Sequence, residues 1–325
     1  MLQDNFGRRF HYLRLSVTDV CNFRCNYCLP DGYQMPSGGV PEFLSRDEIA
    51  VLVSAFAALG TSKVRLTGGE PSLRRDLSEL IATCKQTPGI RRVAMTTNGY
   101  QLHKKADEWL SAGLDAINVS IDSLDPQAFQ RITGHDCLKD ILAGIRRVAS
   151  LGIDSIKVNA VMLGAHNGDA LGRFLDWLRD TPVTVRFIEL MRTGDNAAFF
   201  RDNRLSGEAV MGGLLERGWR EVVRQVDAGP ARELWHPEYA GRLGFIMPYS
   251  QDFCASCNRL RVSATGKVHL CLFATQGNDV RDFCRRGDVD GLVARLQHLV
   301  GEKEGAHHLH DGYTGATRHL AMLGG

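Results

Sequence analysis

Through the first two thirds of the chain, short β-branched apolar runs alternate with longer stretches whose apolar residues recur at helical spacing. The runs at 12–17, 63–67, 93–97, 116–121, 156–162 and 183–189 predict strands. The stretches at 47–59, 77–85, 104–112, 138–151 and 170–179 predict the helices between them. The first helix carries its own start and stop signals: Ser45 with Glu48 three residues on forms a capping box, and Gly60 ends it. Alternation of this kind builds βα units around a parallel sheet. Six such units are too few to close an eight-stranded barrel. The expected fold is therefore α/β, an incomplete (β/α)6 TIM-type barrel spanning residues 1–204.

From residue 205 the pattern changes. Glycines punctuate short β-like runs at 222–226, 245–247, 260–263 and 268–272. Residues 205–325 are expected to form a smaller α+β extension that ends in a Gly- and His-rich tail. The longest apolar stretch, 49–59, is interrupted by Ser54 and falls short of the roughly 20 residues a membrane span needs. The first ten residues hold no apolar signal core, which predicts a cytoplasmic protein. In that compartment the 9 cysteines of this 325-residue chain are reduced thiols rather than a disulfide framework. Charge adds one restriction. With 39 Lys+Arg against 37 Asp+Glu, the net +2 gives no general attraction to polyanions, so any anion site is local.

Two cysteine constellations stand out. Cys21, Cys25 and Cys28 form C-x3-C-x2-C directly after the first predicted strand. Structural zinc sites use four ligands, often as two separated pairs. Three thiolates without a fourth suit a [4Fe–4S] cluster with one iron open to an outside ligand. Cys254, Cys257 and Cys271 form C-x2-C-x13-C, again three thiols, with His269 the nearby group that would complete a zinc site instead. Cys84, Cys137 and Cys284 lie in or beside helical segments and read as packed thiols, and His307, His308 and His310 as a solvated tail.

The first cysteine set resembles that of the radical S-adenosylmethionine (SAM) enzymes, with Tyr27 at the family's aromatic position. Thr67-Gly68-Gly69-Glu70-Pro71 is similar to the family's GGEP motif. The stretches Leu13-Arg14-Leu15-Ser16-Val17-Thr18-Asp19-Val20-Cys21 and Phe253-Cys254-Ala255-Ser256-Cys257-Asn258-Arg259-Leu260-Arg261 narrow the resemblance to the GTP 3',8-cyclases. So does the terminal Gly324-Gly325. The resemblance covers essentially the whole chain.

That likeness implies two [4Fe–4S] clusters, on Cys21, Cys25 and Cys28 and on Cys254, Cys257 and Cys271. It implies SAM contacts at Tyr27, Gly69, Ser120 and Met191. GTP contacts are implied at Arg14, Arg65, Thr96, Lys157, Arg259, Leu260 and Arg261, with Gly324 and Gly325 as a functional end. The implied reaction begins with SAM cleavage to a 5'-deoxyadenosyl radical, which removes the ribose 3' hydrogen of GTP. Closure onto C8 then gives 3',8-cyclo-7,8-dihydro-GTP, the first step of molybdenum cofactor biosynthesis. A flavodoxin-type electron donor and a downstream cyclic pyranopterin monophosphate synthase are the implied partners; neither nucleic-acid polymers nor membranes are, and the family admits a homodimer. Residues carry part of this independently. No Walker A loop is present, since Gly266-Lys267 is followed by Val268, so dispersed cations must hold the phosphates. Arg259 and Arg261 share one strand face, as do Lys63 and Arg65. Most of these groups are expected at or just beyond the C-terminal ends of the strands. The rival reading is a radical SAM maturase with an auxiliary cluster, acting on a peptide or protein.

Overall fold

The computed structural model describes residues 1–39, 41–223, 228–315 and 317–324. Strands β1 (Tyr12–Ser16), β2 (Lys63–Thr67), β3 (Arg92–Thr97), β4 (Ala116–Ser120), β5 (Ser155–Met162) and β6 (Thr184–Glu189) lie side by side in chain order, all parallel. Between them run α1 (Arg46–Ala58), α2 (Leu77–Gln86), α3 (Leu102–Ser111), α4 (Pro126–Thr133), α5 (Leu138–Ser150), α6 (Gly164–Asn167) and α7 (Ala170–Asp180). Both halves of the capping box on α1 form: Glu48 N donates to Ser45 Oγ (3.2 Å) and Ser45 N to Glu48 Oε2 (2.8 Å). Gly60, at φ +92°, ends that turn where a Cβ would be strained. Helix α4 was not foreseen because eight residues hold barely two turns of periodicity. Its signals are local ones: Asp125 caps Ala128 N at 2.8 Å, Pro126 opens the helix and left-handed Gly134 closes it.

The alternation within each strand decides what faces where. Leu13, Leu15, Val64, Leu66, Ile117, Val119 and Val158 are fully buried in the main apolar core. The opposite face carries Tyr12, Arg14, Lys63, Arg65, Asn118, Lys157 and Asn159 into an interior cavity. The strands are thus apolar outside and polar inside.

Chain beyond residue 205 extends this sheet at both edges. Its strands are β7 (Arg220–Glu221), β8 (Arg232–Trp235), β9 (Arg242–Ile246), β10 (Arg259–Val262), β11 (Lys267–His269) and β12 (Asn278–Asp279). The order is β12-β11-β10-β1-β2-β3-β4-β5-β6-β9-β8-β7, with β10 parallel to β1 and β9 parallel to β6. Eight parallel strands therefore stand in a row, flanked by antiparallel pairs that cover edges which would otherwise expose unpaired backbone. Of the run expected at 222–226, residues 224–226 lie outside the described residues; Val222 still donates to Glu233 O at 2.8 Å beside β7. The run expected at 268–272 stops at His269, which leaves Cys271 on a loop. Arg281 anchors the extension to α1, its Nε 2.7 Å from Glu48 Oε1. Among the described residues, no helix is long and apolar enough to cross a membrane.

Candidate active site

A cavity of about 940 Å³ lies against the polar face of the strands. Register explains its charge. Arg14 on β1 pairs in the sheet with Arg65 on β2 and with Arg261 on β10, so three guanidinium-bearing residues stand in one row across three strands. Tyr12 pairs with Lys63 and Arg259 in the row below. Lys157 and Arg186 approach from β5 and β6. Burial first, then mutual repulsion, lowers Arg14 and Arg186 to about 10 and drives Arg261 well below its ordinary value. Stacked like charges of this kind are unfavourable until an anion joins them.

Individual partners refine the picture. Arg65 donates to Met95 O (2.8 Å), to Thr96 Oγ1 (3.3 Å) and to Tyr12 Oη. Thr96 thereby steadies Arg65. Lys157 pairs with Glu233 of β8. Arg186 Nη2 donates to Asn159 Oδ1 at 2.6 Å. The guanidinium of Arg259 stands 5.9 Å from the Phe253 ring centroid. Leu260 points the other way and is buried in the apolar core, so its side chain does not line the cavity. Tyr27, Gly69, Ser120 and Met191 sit at or just beyond the C-terminal ends of their strands. The cations sit deeper, within the strands themselves, because their alternation with core residues places them on the inner face.

Cys254, Cys257 and Cys271 line the same cavity. Cys257 N closes a tight turn onto Cys254 O at 3.1 Å. Arg8 reaches from the N-terminus to Cys254 O (3.1 Å) and Gly305 O (2.6 Å), and Lys303 donates to Leu270 O. Burial raises the Cys257 thiol, but Arg259, Lys303 and Arg8 outweigh it and bring the group below its ordinary value. His269 packs against Gly277, and burial followed by Arg261 and Lys267 lowers it to about 4, so it is neutral. His307 departs from the solvated-tail expectation: it is half-buried, its Nε2 donates to Pro248 O (2.9 Å) and its ring packs beside Phe253 and Phe273. His308 and His310 are exposed.

Cys21, Cys25 and Cys28 occupy the loop that leaves β1, and the GGEP loop leaving β2 holds that loop in place. Gly69 N donates to Thr18 O (2.9 Å) and Glu70 N to Val20 O (2.8 Å). A Cβ at Gly68 would come within 2.1 Å of Thr18 O, and at Gly69 within 2.3 Å of Val20 O. Only glycine admits that approach. Glu70 is enclosed and accepts from Ser72 N (2.9 Å), Thr97 Oγ1 (2.7 Å) and Asn98 N (2.6 Å), which ties its own loop to the end of β3. Tyr27 Oη donates to Asp122 Oδ2 at 3.1 Å. Ser120 ends β4, and buried Met191 follows β6. Burial raises Cys21 to about 11 and Cys28 to about 12 and pushes Cys25 well above its ordinary value, with Glu70 or Asp122 adding to each.

The chain end joins the two sets. Leu320 and Leu323 pack with Met191 and Leu272, against Tyr27, Cys28 and Cys271. Arg261 Nη1 donates to Leu323 O and Gly324 O, both at 3.0 Å, and Arg14 also donates to Gly324 O. Gly324 adopts φ +59°, and a Cβ there would stand 2.2 Å from Thr67 Oγ1. Gly325 lies outside the described residues.

Sequence reading passed over Tyr12, Arg186, Arg8 and Glu233. For Arg186 a signal existed: a lone basic residue between Val185 and Phe187 in an apolar strand points away from the core. Arg8 and Glu233 gave none, since each acts through contacts made far along the chain.

Among the described residues no group of three or more His, Cys, Asp and Glu side chains forms a cage for a single metal ion. Each cysteine set is an all-sulfur donor set whose thiols feel one another's charge, a chemistry suited to iron–sulfur clusters or zinc.

An open parallel half-barrel with three thiols on the loop after its first strand is the architecture of radical SAM proteins, and residues 15–178 match the Radical SAM superfamily. A [4Fe–4S] cluster and SAM come with that class. Residues 183–309 match Molybdenum Cofactor Synthesis C. A GTP 3',8-cyclase of Aeromonas hydrophila subsp. hydrophila is 54% identical, covering 100% of this chain and 96% of that one. Another, of Stenotrophomonas maltophilia (strain R551-3), is 55% identical, covering 100% and 99%. The chain belongs to the GTP 3',8-cyclase family. Its fold is also similar to that of Streptococcus suis SuiB bound to S-adenosylmethionine, at TM-score 0.64 and 11% identity over 89% of this chain and 68% of that one.

Proposed function

We propose that the protein is a radical SAM lyase that converts GTP to 3',8-cyclo-7,8-dihydroguanosine 5'-triphosphate, the opening step of molybdenum cofactor synthesis in a reducing cytoplasm. One observation carries this reading: a single cavity is bounded by the second cysteine set at one side, Met191 at another, and a row of guanidinium groups that also grips the chain end. A triphosphate is the anion such a floor suits, because bidentate guanidinium groups match phosphate oxygens.

The chain divides by role. Residues 1–204 carry Cys21, Cys25 and Cys28 for the first cluster, with Tyr27, Gly69, Ser120 and Met191 around SAM. Residues 205–325 carry Cys254, Cys257 and Cys271 for a second [4Fe–4S] cluster, the Arg259-Leu260-Arg261 strand, and Gly324-Gly325. Cys21, Cys25 and Cys28 would hold the cluster to which SAM binds, and SAM there would supply hydrogen-abstracting radical chemistry. All else is positioning. Arg14, Arg65, Lys157, Arg259 and Arg261 hold the phosphates, with Thr96 acting through Arg65 and Leu260 through its backbone. The apolar contacts of Met191, Leu272 and Leu323 keep water from the space between the cysteine sets. A low-potential reductase supplies electrons, and a cyclic pyranopterin monophosphate synthase consumes the product.

The test is anaerobic reconstitution followed by SAM, reductant and GTP. We expect 5'-deoxyadenosine together with a cyclised nucleotide. SAM cleavage that leaves GTP intact would overturn the substrate; peptide-dependent cleavage would favour the maturase reading.

A further inference from the structure

Tyr12 opens β1 with its ring buried at the cavity wall. Its surroundings are unusual for a phenol. Arg65 Nε donates to its oxygen, and Arg14, two residues along the same strand, also hydrogen-bonds to it. The Lys63 ammonium stands 4.8 Å from the ring centroid and the Arg65 guanidinium 5.9 Å. Arg259 is its register partner on β10, while Arg261 of β10 and Arg186 of β6 both feel its charge. These six groups, from four strands, are all cations and all donors. A neutral hydroxyl has a proton to give away, and none of them can accept it. An ionised oxygen suits every one.

We propose that Tyr12 is a phenolate in the free protein, a built-in counter-ion of the cation floor, and that GTP relieves it of that role. The phosphates become the partners of Arg14 and Arg65, and a proton from solvent joins Tyr12 Oη. The neutral hydroxyl then has an acceptor, a phosphate oxygen, and holds the nucleotide as a positioning residue. This rests on the triphosphate reading of the floor. Burial alone would raise the phenol, but Arg65, Arg14 and Lys63 outweigh it and bring the group to about 6. The sign follows. A group whose proton affinity rises on binding takes up a proton, so GTP affinity falls as pH climbs above about 6.

The experiment is calorimetry of GTP binding to the anaerobically reconstituted holoenzyme, without SAM, in two buffers of different ionisation enthalpy. Near pH 8 a terminal phosphate, with its second pKa about 6, is already ionised and adds little of its own. We expect uptake approaching about one proton per GTP, and a Kd that rises about tenfold from pH 7 to pH 8. In Tyr12→Phe the uptake drops by about one proton and the pH slope flattens. A wild-type uptake near zero would overturn the proposal whether or not the variant folds. So would equal uptake in both proteins, because a tyrosine that only packs leaves proton stoichiometry unmoved. No GTP binding at all would overturn the triphosphate reading with it, a result distinct from binding without uptake.

Discussion

The two cysteine sites use the same three-thiol chemistry in opposite electrostatic settings. Around Cys21, Cys25 and Cys28 the neighbouring charges are carboxylates, Glu70 and Asp122, and burial is reinforced by them. Around Cys257 the neighbours are Arg259, Lys303 and Arg8, and they reverse the effect of burial. Iron–sulfur potentials follow net local charge and hydrogen bonds to sulfur. An anionic setting favours a strongly reducing cluster that binds a cationic sulfonium cofactor. A cationic setting suits a site that takes up anions. Sequence spacing made the sites look like near copies; their surroundings differ in the sign of the neighbouring charge.

The largest effect should come from removing either thiol set. Replacing Cys21, Cys25 and Cys28 with alanine should halve the iron content and abolish 5'-deoxyadenosine formation. The same change at Cys254, Cys257 and Cys271 should also halve the iron yet leave slow SAM cleavage, with cyclisation lost. Equal loss of SAM cleavage in both would erase the distinction between the sites.

Next in size is the segment that touches both sites. Deleting Gly324 and Gly325 should reduce cyclisation by about 100-fold or more, since misplacement near 1 Å costs on that order. Gly324→Ala should approach this loss, given the clash with Thr67. Iron content and GTP affinity report whether the defect is confined to geometry. A truncated chain that turns over normally would show that the tail merely rests there.

Smaller again is the floor itself. Arg261→Gln or Arg259→Gln should weaken GTP binding by about 10–150-fold, the equivalent of a charge-assisted hydrogen bond of roughly 1.5–3 kcal/mol. Both clusters should still assemble, which iron analysis checks.

The smallest effect concerns His269. Its folded value near 4 lies below the ordinary value of 6.5, through burial and then Arg261 and Lys267. A depressed group lends stability that is present above about pH 6.5 and lost as pH falls toward about 4. Over that window, urea unfolding of the metal-free chain should lose at most about 3 kcal/mol through this residue. His269→Gln should flatten that slope. An unchanged slope would mean that neither burial nor the neighbouring cations Arg261 and Lys267 hold the imidazole neutral.

Much of the architecture was legible in the chain alone because it rests on local rules. Period-two apolar runs, the Ser45–Glu48 box and Gly60 mark β1 to β6 and α1, since each depends on residues within a turn or a pleat of one another. Cysteine spacing worked for the same reason: eight residues can reach one cluster without help from elsewhere. Less could be read past residue 205. Strands of two to five residues carry too few alternations to register, so β8 was missed and β9 was placed late.

What tertiary structure alone decided is partnership. Composition shows 39 basic residues, but only the parallel registers β10–β1–β2 place Arg261, Arg14 and Arg65 in one row. No spacing along the chain places Gly324 beside Thr67, or Arg8 beside the loop of Cys254. These contacts join residues hundreds of positions apart, and their energy comes from burial and charge that exist only once the sheet has formed. The sequence determined the donor groups and the strand faces they occupy; folding determined which charges meet, and therefore how each cysteine site behaves.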